Sequence, residues 1–215
     1  MDKNEAVVPR VAPLDIHEAT PALGWYSDHV LFHHVWNRPG LSRRKRSLVT
    51  VSALVTRGHF AQLTGHFNRA LDHGVAPLEL VELVTHLAFY AGWPCAMSSV
   101  KVLREVFAAR GIAHDGAQTI PLIDPVGDGG DTLAACLTDK VLPDLWQRKE
   151  LALADRSLAT LACLVAEGRG EGLAAEAERA REAGLTLEEL REVLAHLAFY
   201  VGLPRVAYAS GLLGL

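Results

Sequence analysis

The 215-residue sequence has little of what a disulfide scaffold, a β-protein or a nucleic-acid binder is built from. Cysteine occurs three times, at Cys95, Cys136 and Cys163, an odd number with no CxxC. That argues against a disulfide framework, a zinc ribbon and a dithiol redox pair. Aromatic residues make up only 7% and β-branched runs are scarce, which favours helix over strand. The 21 basic residues against 25 acidic ones leave a net charge of −4. A dedicated nucleic-acid binder shows a basic excess, so no nucleic-acid partner is expected. No apolar run reaches the roughly 18 residues that a membrane span needs, so no membrane association is expected either. The opening MDKNEAVVPR lacks the apolar core of a signal peptide, and the expected location is cytoplasmic. What the sequence does have is Ala, Leu and a 50% hydrophobic content, enough for a sizeable core in one or two domains.

The chain is written twice. Residues 36–100 align without a gap on 146–210, at a constant offset of 110, and 24 of the 65 pairs are identical. Average composition gives a chance rate of very roughly one in sixteen, so duplication is the plain explanation. Trp36 matches Trp146, Arg38 matches Arg148, RSLVT at Arg46 matches RSLAT at Arg156, and HLAFYAGWP at His86 matches HLAFYVGLP at His196. Two such units are expected to share a fold and pack about a pseudo-twofold axis.

The periodicity is helical. Ser42 can cap a helix running to about Arg57, ended by Gly58. A second helix is expected from about His59 to His73, ended by Gly74, and a third from Pro77 to Tyr90. Gly92 and Pro94 break the chain before a helix from about Cys95 to Ala109. The second unit repeats this over Leu151–Glu167, Leu173–Ala183, Leu187–Tyr200 and from Pro204 onward. Residues 1–15 read as a loose arm and 21–36 as a helix. The expected organisation is a first unit over 1–111 with its arm and extra helix, a Gly-, Asp- and Pro-rich linker over 112–130, and a second unit over 131–215.

The string WNRPGLSRRKRSLVTVSALV, followed by HFNRALDHGV and HLAFYAGWP, resembles the carboxymuconolactone decarboxylase family of the AhpD-like superfamily. The likeness covers nearly all of 36–107, with a weaker copy over 146–210. It implies an all-α, AhpD-like helical bundle, two tandem repeats packed as a pseudo-dimer. It also implies a homo-oligomer, a dimer or trimer. The superfamily's peroxidases carry a CxxC and a His after the glycine break. PCAMSSVK and PRVAYASG carry neither a cysteine pair nor that His, so this branch is the weaker match. The decarboxylase branch works by acid–base chemistry without metal or organic cofactor. The resemblance therefore implies a cofactor-free lyase acting on a small cyclic carboxylate, lactone or β-keto-acid-like metabolite, an anionic small molecule. A thiol-dependent redox protein using Cys95 alone and a non-catalytic helical assembly or binding protein are the alternatives.

Such a reaction needs a proton carrier and a cation or donors for the developing enolate. Glu82, His86 and Tyr90 fall at i, i+4, i+8, on one helix face, where the carboxylate can orient the imidazole. Glu192, His196 and Tyr200 repeat the pattern. The competing reading is a polar pair that holds the duplicated interface together. His66 stands where decarboxylase-like members carry a His, and the second unit has Glu176 there. His66 and His86 are the candidate proton carriers, with Glu82 orienting His86. Arg38 is the candidate anchor for the anionic group. Arg46, beside an apolar run, needs a carboxylate partner, for which Glu79 and Glu82 are the candidates, with anchoring of the substrate as the alternative role. Tyr90 and Trp93 are expected to line the pocket, and His33 to mark a departure from the family there, as do Met97 and Lys101. The basic run Arg43–Arg46 reads first as a solvated first-turn face; because cations are unfavourable near a helix N-terminus, a negative partner is the second reading. His29 and His33 share a helix face, but no third ligand in local spacing supports a metal site.

Overall fold

The computed structural model of the chain describes residues 8–113 and 132–215. Among them it contains helices and no strand. The first unit opens with α1 (Leu14–Ala19) and α2 (Pro21–Trp25). It continues through α3 (Arg43–Thr56), α4 (Phe60–Asp72), α5 (Pro77–Tyr90) and α6 (Trp93–Ala109). The second unit has α7 (Leu133–Cys136), α8 (Leu142–Gln147), α9 (Leu153–Glu167), α10 (Leu173–Glu182), α11 (Leu187–Val201) and α12 (Leu203–Leu213).

The local signals that start and stop these helices are legible in the sequence. Ser42 Oγ accepts a hydrogen bond from the Lys45 backbone N–H, satisfying a donor that the first turn of α3 leaves free. Thr186 and Glu189 cap each other reciprocally at the start of α11. Gly92 and Gly202 break the chain at φ 90° and 89°, a left-handed region where a Cβ would be strained, and a proline follows two residues later.

Two expectations change. The stretch 21–36 is not one regular α-helix: after α2 the chain runs through wider π turns over Tyr26–His34 and a 3-10 turn over Val35–Asn37. The described part of the N-terminal arm is not loose, because Asp28 accepts hydrogen bonds from the backbone N–H groups of Val11 and Ala12, both at 2.8 Å. His17 closes on the same carboxylate at 2.9 Å. Most of the expected linker, residues 114–130, lies outside the described residues.

The two units do not sit side by side as separate bundles. Helices α3 and α9, equivalent under the 110-residue offset, lie against each other at the centre, with α11 packed on α3 and α5 packed on α9. A single apolar cluster holds Leu48, Val51 and Leu83 of the first unit with Leu158, Leu161 and Val193 of the second. Every residue from Arg46 to Val55 is buried, as expected of a helix enclosed on all sides.

Candidate active site

The face of α5 that carries Glu82 and His86 points at α9 of the other unit. There Arg156 and Thr160, also four apart, meet it. Arg156 Nη2 lies 3.1 Å from Glu82 Oε2, and Arg148 adds contacts of 2.9 and 2.6 Å to the same carboxylate. His86 Nε2 is 2.8 Å from Thr160 Oγ1. The Thr160 hydroxyl also lies 3.0 Å from the Arg156 carbonyl, so donation to that carbonyl and acceptance from the imidazole N–H satisfies all three groups at once. The mirror set brings the equivalent side chains together. Glu192 takes Arg38 in two-pronged fashion at 2.8 and 2.5 Å and Arg46 at 2.7 Å, while His196 Nε2 meets Thr50 at 2.8 Å.

This arrangement corrects four expectations. Glu82 does not orient His86, because both its oxygens are taken by Arg148 and Arg156. Arg46 finds its carboxylate in Glu192 of the second unit, not in Glu79 or Glu82. Arg38 is engaged by that same Glu192 rather than left open for a ligand. His86 has no exposed surface and sits among Thr160, Tyr90 and Trp146. The physical reason is common to all four. Sequence spacing puts residues on one helix face, but what that face meets is set by the second unit.

Electrostatics agree with interface duty for these pairs. The Arg38 hydrogen bonds, aided by Arg46, outweigh desolvation and pull Glu192 down to about 2. Burial raises Glu82, but its two arginines overcome that and hold it below the usual carboxylate range. Burial, followed by the charge of the neighbouring arginine, pushes His86 and His196 each down to about 3. Both imidazoles are neutral at pH 7.

His66 has different surroundings. It lines a cleft of about 280 Å³ with Leu54, His59 and Gln62 of its own unit and Phe199 and Tyr200 of the other. Its ring centre stands 6.1 Å from that of Trp36 and 5.5 Å, edge-on, from that of Tyr200. The indole N–H of Trp36 donates to the Tyr200 hydroxyl at 2.9 Å, tying the walls together across the two units. Burial, with Arg69 nearby, pushes His66 down to about 4, and its Nδ1 has no hydrogen-bond partner. Burial raises the Tyr200 phenol to about 12. The guanidinium of Arg69 lies over two rings, 4.6 Å from the centre of Phe32 and 5.2 Å from that of Trp36.

The other unit builds a related corner with one change. Trp146 donates to the Tyr90 hydroxyl at 2.8 Å, and Arg179 lies over Trp146 at 4.7 Å. Glu176 replaces His66, and Arg179 Nη1 reaches its Oε2 at 2.8 Å. Burial pushes Glu176 up to about 7 against the pull of Arg179 and Ser157. Tyr90 thus belongs to this second corner and not to the His66 cleft.

The remaining candidates scatter. Trp93, 56% exposed, lines an apolar cleft of about 470 Å³ between α5 and α6, together with Met97, Phe89 and Val100. That cleft is separate from the one lined by His66. His33 is exposed, and its carbonyl accepts from Asn37 at 2.6 Å. The basic run finds negative partners inside the chain: Arg44 pairs with Glu79 and Asp155, and Lys45 with Glu189. The sequence reading missed Arg69, Trp36 and the two threonines. Arg69 carried a usable signal, since Arg69 and Arg179 match at the offset while the residue three before them changes from His to Glu.

Comparison with known proteins bears on this site. The sequence pattern of the carboxymuconolactone decarboxylase family matches residues 21–105 and 135–213. The 4-carboxymuconolactone decarboxylase of Acinetobacter baylyi is 42% identical over 81 residues, covering 38% of this chain and 60% of the relative. The nitrosuccinic acid decarboxylase of Metarhizium robertsii is 37% identical over 71 residues, covering 33% and 50%. An uncharacterized 15.0 kDa protein of Paracoccus denitrificans is 28% identical over 79 residues, covering 36% and 59%. The chain spans between half and three-fifths of the length of these relatives.

Proposed function

The chain belongs to the carboxymuconolactone decarboxylase family, and from that premise we propose that it is a carboxy-lyase acting by acid–base chemistry in the His66 cleft. Its substrate is a small carboxylic acid, lactone or β-keto-acid-like metabolite. Both named relatives are decarboxylases, and a cleft of about 280 Å³ suits a ligand of that size. The observation that carries the reading is His66 itself, an imidazole with an unpartnered Nδ1 on the wall of a cleft built by both units.

The chemistry follows from that setting. Loss of CO₂ leaves the bonding electron pair on the former α-carbon, delocalised as an enolate-like system, and one proton must then reach that carbon. His66 is neutral in the free protein at pH 7. An anionic substrate beside it favours the imidazolium, so substrate binding draws a proton from solvent onto the ring. The imidazolium then returns that proton to the carbanionic product. Tyr200, held from behind by the Trp36 indole N–H, forms one wall, and the apolar side chains of Leu54 and Phe199 keep the local dielectric low, strengthening each electrostatic contact. The working unit is a homo-oligomer, a dimer or trimer, for which the exposed apolar side chains Trp93, Met97 and Leu203 supply contact area.

The test is CO₂ release from 4-carboxymuconolactone and from nitrosuccinate by the wild type and by His66→Ala. Turnover by the wild type is expected to fall by roughly 10²–10⁴ in the variant, the usual loss for one acid–base group. Full turnover in a folded His66→Ala protein would sink the assignment.

A further inference from the structure

The two corners of the molecule differ in one place that decides whether a cation is satisfied. In the second unit Arg179, lying over Trp146, is paired with Glu176 three residues before it. In the first unit Arg69 lies in the same way over Trp36, but the residue three before it is His66, which offers no negative charge. Arg69 forms no ion pair among the described residues. Asp72, the carboxylate closest to it along α4, is bound to Arg110 instead, and Arg43 adds further positive charge nearby. A half-buried guanidinium, stacked on two rings beside an imidazole with an unpartnered Nδ1, is a site lacking its anion.

We propose that Arg69, which stands one helical turn from His66 on α4 and flanks the cleft rather than lining it, is the carboxylate-binding residue of that site. Glu176 supplies a built-in carboxylate at the equivalent place in the second unit, so each chain takes up one small carboxylic acid rather than two. This rests on the proposed acid–base site and names its anion anchor. Arg38 and Arg46 do not compete for that duty, because Glu192 holds both. The carboxylate on Arg69 is one that stays with the product. A guanidinium on the departing carboxylate would stabilise the reactant and oppose loss of CO₂. Held there, it sets the rest of the substrate against the His66 ring, one helical turn away.

Succinate, titrated calorimetrically into the full-length protein, tests the proposal without requiring turnover. The wild type is expected to bind one succinate per chain. Arg69→Gln is expected to weaken binding by roughly 10- to 100-fold, the cost of one charge-assisted pair, and Arg69→Lys to restore part of the loss. Glu176→His, which copies the first unit's residue into the second, and the smaller Glu176→Ala are each expected to add a second site. Thermal melts confirm that each variant is folded. Equal affinity in Arg69→Gln overturns the proposal. So does a wild type with two saturable sites or none, and so does failure of both Glu176 variants to add a site. One-site binding that depends on Arg69, without any CO₂ release, would keep this proposal and remove the lyase reading instead.

Discussion

Glu82→Ala deletes a carboxylate that has no solvent exposure and is held between two guanidiniums. Arg156 is itself fully buried, so it cannot turn to water when the carboxylate goes. Breaking a buried pair by removing one partner costs about 3–5 kcal/mol, most of it the uncompensated charge left behind. For a chain of this length that lowers the melting temperature by roughly 6–20 °C. The mirror substitution Glu192→Ala strands Arg46, which is fully buried, but also Arg38, whose side chain is 43% exposed and can rehydrate. One fully buried arginine is stranded in each case, so its cost is expected in the same range of about 3–5 kcal/mol. Adding Arg156→Met to Glu82→Ala removes the deepest stranded charge and should recover about half of the loss. Urea denaturation monitored by far-UV circular dichroism measures all four proteins. A Glu82→Ala loss within about 0.5 kcal/mol, as at an ordinary surface position, would refute the reasoning. So would a double variant no more stable than the single one.

Stability should fall as pH drops from about 6.5 toward 4. His66, His86 and His196 sit at about 4, 3 and 3 in the folded chain, below the ordinary 6.5, so in that window the unfolded chain binds more protons. Glu176, raised to about 7, works with the opposite sign between 4.5 and 7, so Glu176→Gln should steepen the net dependence in denaturation curves taken across that range. Thiol labelling of the folded protein should modify Cys95 and Cys136, which are partly accessible, but spare Cys163, whose buried thiol is pushed up to about 12. Labelling of all three at one rate would show that the central helix pair opens.

Much of the fold could be read before any coordinates. Ser42, Gly58, Gly74, Pro77 and Gly92 punctuate the first unit, and the structure starts or stops helices within two residues of each. These signals act through local backbone geometry, so they need no partner to be understood. The segment 21–36 is less legible: no residue pattern marks its widened turns over Tyr26–His34, and Asp28 within them is held by Val11, Ala12 and His17 from the preceding segment. The site divided along the same line. The break in the repeat at His66, matched by Glu176 at the offset, is visible in the sequence. The partners of Glu82, His86, Arg38 and Arg46 are not legible in the sequence, since all four are held by residues more than 60 positions away.

The sequence alone determined that the chain is helical, duplicated at an offset of 110 and short of the cysteine pair a dithiol mechanism needs, because composition, period and repetition are properties of the string. Only the tertiary structure decided how the copies interlock, with α5 on α9 and α11 on α3, so that each unit's acidic–imidazole face is answered by the other unit's arginine and threonine. Whether a given arginine is free for a ligand depends on which carboxylate lies within about 3 Å of it in space, and separation along the chain does not encode that distance.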